Sequence, residues 1–123
     1  MIDGVINKLV EDGIADVEGL KGAATFKYIG RYFRMYGKFE LWLVINFRVW
    51  RDHGITPLWL APSGSKVTEL EKIRGLFENV EFGGLRYFPI RLKTGVERDR
   101  VIDHAVAQMK RIGDNLLEKV SND

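Results

Sequence analysis

A chain of 123 residues is the length of a single domain, so we expect residues 1–123 to fold as one unit. Hydrophobic residues make up 46% and charged residues 29%, which permits a packed core and excludes a disordered chain. The sequence contains no cysteine, which excludes disulfide bonds and thiolate metal sites. The formal net charge is only +2, so binding to an anionic partner would depend on where the cations lie.

The beginning of the chain carries charged residues within its apolar run, unlike a signal peptide or a membrane anchor. The longest nearly uncharged run, Leu41 to Phe47, is too short to span a bilayer. These features predict a cytoplasmic protein with no membrane partner.

The first element is a predicted helix from Ile2 to Val10, where apolar residues recur at helical spacing. Asp3 is the expected cap near its start, and Gly13 is the expected stop. A short helical turn at 14–20 and a link at 21–24 are expected to follow.

The central element is a predicted β-hairpin from Phe26 to Val49 that turns at Gly37 and Lys38. A two-residue loop with Gly first favours a type II′ turn, because Gly accepts the positive φ that this turn requires. The turn predicts that Tyr36 pairs with Phe39.

In this register the two faces of the hairpin differ. One face is almost entirely apolar and is predicted to be the core face. Its residues are Phe26, Tyr28, Tyr32, Tyr36, Phe39, Leu41, Leu43, Ile45, Phe47 and Val49. The other face mixes bulky apolar groups with cations and is predicted to be exposed. Its residues are Lys27, Ile29, Arg31, Phe33, Met35, Glu40, Trp42, Val44, Asn46 and Arg48.

After the hairpin, Trp50 to Thr56 is predicted to form a polar loop broken by Gly54. An apolar strand follows between Pro57 and Pro62, and its prolines restrict it to strand ends or to a sheet edge. A helix from Lys66 to Glu78 is predicted next, with Ser65 as its cap.

The last third of the chain predicts a strand from Leu85 to Lys93 and a long helix. Pro89 favours an edge strand or a bulge. Thr94 and Glu97 match a capping box at the start of the helix. The helix has one apolar stripe, formed by Val101, Ile102, Ala105, Val106, Met109, Ile112, Leu116, Leu117 and Val120. The predicted fold is therefore α+β, an antiparallel sheet of about four strands with helices on one face, in the order α-β-β-β-α-β-α.

The outer hairpin face supports two interpretations. Large exposed apolar patches are usually interfaces, which favours a homo-oligomer, most simply a dimer, formed through this face or through the last helix. The interface residues would be Phe33, Met35, Trp42 and Val44. The alternative is nucleic-acid binding, because cations follow a phosphate backbone and aromatic rings stack on unpaired bases. The residues for that function would be Lys27, Arg31, Trp42 and Arg48.

The loop after the hairpin suggests a small-molecule or protein-binding cleft. Trp50 and Trp59 flank it and are predicted to frame the mouth of an apolar pocket beside His53. The preferred function is therefore non-enzymatic binding at these three residues. A small hydrolase that uses His53 as its base is a third interpretation, although no catalytic motif accompanies that residue.

The segment Ser63, Gly64, Ser65 and Lys66 precedes a predicted helix and could hold an anion. The P-loop pattern is incomplete there, because Val67 occupies the position of the required Ser or Thr. No cofactor, metal or catalytic site is predicted anywhere in the chain.

Several aromatic stretches resemble the C-terminal accessory region of uncharacterised bacterial proteins related to PD-(D/E)XK nucleases. The matching stretches are Tyr32 and Phe33, Leu41 to Trp50, Gly54 to Leu60, Phe88 to Ile90, Gly95 to Glu97 and the terminal helix. In those proteins the catalytic motif has an acidic residue two positions before a lysine. No lysine of this chain has one. The resemblance therefore implies an accessory domain that binds or assembles, without nuclease activity.

Overall fold

The computed structural model of the protein describes residues 1–25, 27–63 and 70–121. Its elements in chain order are α1 (Ile2–Glu11), β1 (Ala15–Asp16), β2 (Gly22–Ala24), β3 (Tyr28–Met35), β4 (Phe39–Asn46), α2 (Phe47–His53), β5 (Leu58–Pro62), β6 (Val80–Phe82), β7 (Leu85–Pro89) and α3 (Arg98–Ser121).

Some predicted features fall outside the described residues. These are Phe26 at the start of the hairpin, residues 66–69 of the helix predicted from Lys66 to Glu78, and the Gly64, Ser65 and Lys66 part of the anion site. In the described part of that predicted helix only Leu70 and Glu71 are helical and residues 72–76 form turns, so the prediction of a helix that continues to Glu78 is wrong.

The fold class is α+β, as predicted, and its strands form an antiparallel sheet. The sheet order is β1-β3-β4-β5-β7-β6, and β2 also pairs with β3. Beyond the four predicted strands the sheet contains β1, β2 and β6, each only two or three residues long. Strands this short cannot show an alternating pattern in the sequence. The Leu85–Pro89 strand is not at an edge, because it lies between β5 and β6, and Pro89 is its last residue.

The β3–β4 hairpin forms, but its predicted register is wrong by one residue. Met35 pairs with Phe39, and the three residues between them form the turn. Tyr36 and Gly37 both have positive φ, as a type I′ turn requires, and the Lys38 amide donates to the Met35 carbonyl at 3.1 Å. The turn therefore starts one residue earlier than a II′ turn at Gly37 would.

This shift exchanges the two faces of β3 relative to β4, because side chains alternate along a strand. Phe33 and Met35 now share a face with Leu41 and Leu43 and are completely buried. Val44 is also fully buried.

Trp42, the fourth predicted interface residue, is only 8% exposed. The prediction that these four side chains form an exposed oligomer surface is therefore wrong. Homo-oligomerisation itself stays a prediction.

The main core lies between the helices α1 and α3 and one face of the sheet. The apolar stripe predicted for the last helix is confirmed, since Val101 is buried and the other members are buried in this core or packed against it. The helix begins at Arg98, after Glu97, whose carbonyl accepts bonds from the Arg100 and Val101 amides. The capping box predicted at Thr94 is therefore displaced from the true start. Of the helices in the described ranges, none combines the length and the hydropathy needed to span a bilayer.

A second, smaller cluster covers the other face of the sheet. It contains Trp42, Val44, Val49, Trp59, Ala61 and Tyr87. Val49 belongs to α2, so the prediction that helices lie on only one face is wrong for this short helix.

Helix α2 occupies the segment predicted as the end of the hairpin and a loop. Asn46 ends the strand because its side-chain oxygen accepts bonds from the amides of Arg48 and Val49, each at 3.1 Å, and so caps a helix. Gly54 closes the helix with a φ of 66°.

Candidate ligand-binding site

The cleft predicted from the aromatic residues of the Trp50–Trp59 segment is not formed. Trp59 is completely buried on β5, whereas Trp50 on α2 is 44% exposed. His53 is also exposed, at the end of α2. These three residues therefore do not frame one pocket, because Trp50 and His53 on α2 are exposed to solvent while Trp59 on β5 is buried.

A cavity of about 390 Å³ lies instead over the second face of the sheet. We call it the aromatic cavity, and its side chains come from β3, β4, the start of α2 and the β6–β7 hairpin. The residues that line it include Lys27, Tyr28, Tyr32, Trp42, Asn46, Arg48, Phe82 and Tyr87. In the part of the chain that the structure describes, no acidic residue lines it.

The floor of the aromatic cavity is a layer of three rings from the hairpin. The ring centroid of Trp42 lies 5.6 Å from that of Tyr32, with the planes nearly parallel at 13°. Tyr28 meets the same indole edge to face, at 5.1 Å and 83°. Such aromatic pairs contribute about 0.5–1.5 kcal/mol each beyond their buried area. The indole is therefore held on two sides by half-buried tyrosines whose outer surfaces face the cavity region.

Gly30 makes this arrangement possible, because it lies between Tyr28 and Tyr32 on the same side of β3. A Cβ at this position would lie 2.3 Å from the Trp42 indole nitrogen, far inside van der Waals contact. Glycine within a strand often marks such a close approach. The notch above Gly30 therefore receives the indole.

The opposite wall comes from the β6–β7 hairpin. The rings of Phe82 and Tyr87 meet edge to face at 6.2 Å, and Tyr87 also meets the buried Trp59 ring at 6.4 Å. Burial raises the pKa of the Tyr87 phenol, which keeps this hydroxyl in its neutral, hydrogen-bonding form. The Asn46 side-chain amide donates to that hydroxyl at 3.4 Å and so connects the wall to the helix cap.

Two cations lie at the end of the cavity where β3 begins and α2 starts. The Phe47 amide donates to the Lys27 carbonyl at 3.1 Å, which places Lys27 beside the first turn of α2 and therefore near Arg48. Arg48 is exposed, and its guanidinium makes no ion pair with any residue in the described ranges. Both side chains line the aromatic cavity.

The structure brings together three of the four residues predicted to bind nucleic acid, namely Lys27, Trp42 and Arg48. The fourth, Arg31, lies on the opposite face of β3 and pairs with Asp3 at 2.8 Å. It lines a second cavity, of about 720 Å³, near the start of α1. Among the described residues that line that cavity, none is aromatic.

The remaining predicted sites are not assembled around the aromatic cavity. Ser63 donates its amide to the Glu40 carbonyl at 3.2 Å, and the rest of the predicted anion segment lies outside the described residues. Asp52 pairs with Arg51 at 3.0 Å. In the part of the chain that the structure describes, no three His, Asp or Glu side chains are placed to hold a metal ion.

Sequence reasoning missed the tyrosines and the β6–β7 residues of the cavity. The predicted register assigns Tyr28 and Tyr32 to the main core. The pattern Tyr-x-Gly-x-Tyr around Gly30 was an available signal, because it places two rings on one face of a strand with a gap between them. Phe82 and Tyr87 have no comparable signal, since they reach the site only through the strand order.

No protein-family model, curated protein or solved structure matches the chain. The resemblance of the segment from Tyr28 onward to accessory regions of nuclease-related proteins stays a prediction.

Proposed function

We propose that this protein is a non-enzymatic binding module that holds a flat, anionic, ring-bearing molecule in the aromatic cavity. The supporting observation is that aromatic rings and two cations line one cavity, and that none of the described residues lining it carries a carboxylate. Its volume of about 390 Å³ falls within the roughly 300–1,000 Å³ typical of small-molecule sites.

Two kinds of interaction would hold such a ligand. Its ring would pack against the half-buried tyrosines, and stacking of this kind contributes about 1–3 kcal/mol per ring. Its anionic group would be attracted by Lys27 and Arg48, which lie near the surface, where solvent and salt weaken each charge. Ring contacts therefore provide most of the affinity, and the cations select for an anion.

Nucleic-acid binding is the second candidate function. Its specific support is that Lys27, Trp42 and Arg48 line the same cavity. Arg31 has no part in it, because that guanidinium is paired with Asp3 on the other face. Trp42 would act as a support for the outer tyrosines, since its own ring is nearly buried.

The proposal is tested with 1-anilinonaphthalene-8-sulfonate, a fluorescent probe that has flat rings and one sulfonate. The folded protein should bind one probe molecule with a rise in fluorescence. Arg48→Glu should weaken this binding at least about tenfold, equivalent to about 1.4 kcal/mol, because the sulfonate would then meet a carboxylate.

The matched control is Arg51→Glu, which makes the same charge change on the same helix. Arg51 is exposed and does not line the cavity, so its variant should bind the probe as the wild type does. If folded Arg48→Glu and Arg51→Glu proteins bind the probe equally well, the aromatic cavity is not the binding site.

A further inference from the structure

The aromatic cavity contains a third kind of group besides rings and cations. Tyr28, Tyr32 and Tyr87 all line it. Burial is the main cause of the raised pKa of Tyr87, and the nearby phenols of Tyr32 and Tyr28 act in the same direction. In the described part of the chain, the hydroxyls of Tyr28 and Tyr32 make no hydrogen bond to the protein. Hydroxyl groups therefore gather beside the stacking surface, and each can donate or accept.

A ligand that uses all these features needs a flat face, polar atoms on the edge of its ring and a strong negative charge. We infer that the ligand is a nucleotide, with its base against Tyr28 and Tyr32 and its phosphate beside Lys27 and Arg48. This inference rests on the proposed function and adds the chemical class of the ligand. Simple aromatic acids match the rings and the cations but have no polar ring edge for the hydroxyls.

The same nucleotide chemistry has two sources, a free mononucleotide or one unit of a single strand. A duplex would not fit, because its bases are stacked on each other and their faces are not available to the tyrosines. Arg48, which lines the cavity, is exposed, so the cavity reaches the protein surface and a nucleic-acid strand could continue beyond it.

The main experiment measures competition between nucleotides and the naphthalene sulfonate probe. AMP and UMP should each displace the probe, and the better of the two should bind at least about ten times more tightly than its nucleoside, because the nucleoside lacks the phosphate. Arg48→Glu should reduce the affinity for that nucleotide to the level of the nucleoside.

A double variant separates nucleotide recognition from general binding of aromatic anions. Tyr28→Phe with Tyr32→Phe keeps both rings and removes both hydroxyls. It should weaken nucleotide binding at least about fivefold and leave probe binding unchanged. Tyr36→Phe is the matched control, because Tyr36 lies outside the cavity, and it should change neither.

Short oligonucleotides distinguish the two sources. If an oligo(dT) or oligo(dA) of about five nucleotides binds at least about tenfold more tightly than the mononucleotide, the natural ligand is a single-stranded nucleic acid. With two phosphate contacts, log K should then fall with log salt concentration with a slope of about −1.4. Equal affinities would identify a free nucleotide.

The outcomes separate this inference from the proposed function. If the probe binds at the cavity but no mononucleotide or oligonucleotide displaces it, the nucleotide inference is wrong and the binding function remains. The nucleotide inference is also wrong, and the binding function remains, if the double tyrosine variant loses affinity for the probe and for the nucleotide in equal measure. If the probe itself does not bind, the proposed function fails.

Discussion

Gly30→Ala tests whether the Trp42 indole is held in the notch of β3. The new Cβ would lie 2.3, 2.7 and 3.1 Å from three atoms of the indole, so the ring must move. The indole cannot move freely, because Tyr28 and Tyr32 pack against it at 5.1 and 5.6 Å. Overpacking of this kind costs about 1–3 kcal/mol.

The same substitution also has a smaller, stabilising effect through the unfolded state. Replacing Gly by Ala where the backbone allows it stabilises a protein by about 0.4–1 kcal/mol, because the unfolded chain loses conformational freedom. We therefore expect a net loss of about 1–2 kcal/mol. With an unfolding entropy of about 2.1 cal/mol/K per residue, a chain of 123 residues should lose about 4–8 °C in Tm.

Urea and thermal unfolding measure this loss, and near-ultraviolet circular dichroism reports the packing of the indole. In a Trp42→Leu background the cost of Gly30→Ala should disappear, because the atoms that clash are gone. Gly75→Ala is the control, since its Cβ would meet no atom within 4 Å. A Gly30→Ala protein as stable as the wild type, with an unchanged near-ultraviolet spectrum, would refute this packing.

Two further predictions concern the hairpin. Phe33→Ala should lower the free energy of unfolding, measured in urea, by about 3–5 kcal/mol, because this core aromatic is fully buried. Ile29→Ala on the same strand should cost far less, because Ile29 is 46% exposed. Similar small effects at both positions would contradict the register. Burial, together with a hydrogen bond to Asp114, raises the pKa of Tyr36 to about 12 from 10. Since the folded-state pKa is the higher one, this contribution to stability is complete below pH 10 and is lost as pH rises toward 12. Tyr36→Phe should therefore lose less stability than wild type between pH 9 and 11 in urea unfolding, and parallel profiles would contradict this prediction.

The sequence was most informative where structure depends on local spacing. The spacing of apolar residues in the α1 and α3 segments predicts their buried stripes, because a helix brings residues three and four apart onto one face without contacts from distant residues. The α+β class followed from the order of these segments. The Asn46 cap of α2 was also present in the sequence, but the strand pattern around it concealed the change to a helix.

The hairpin register could not be decided locally. Gly37 has a positive φ, which suits either position of a two-residue turn, so its presence does not say where the turn begins. One residue of shift moved Phe33 into the core and brought Tyr32 to the face of Trp42. The observed register is favoured because it buries Phe33 against α1 and α3. This packing depends on the tertiary structure and cannot be inferred from the hairpin segment alone.

The candidate site shows the same division between local and tertiary information. The sequence by itself predicted Lys27, Trp42 and Arg48 as binding residues, since cations interleaved with aromatic residues along a hairpin are typical of a binding surface, and these three line one cavity. Only the tertiary structure excluded Arg31, by placing it on the other face of the strand, and added Tyr87 from far along the chain. The physical reason is that composition and spacing determine what a segment can do, while strand order and register determine which side chains meet.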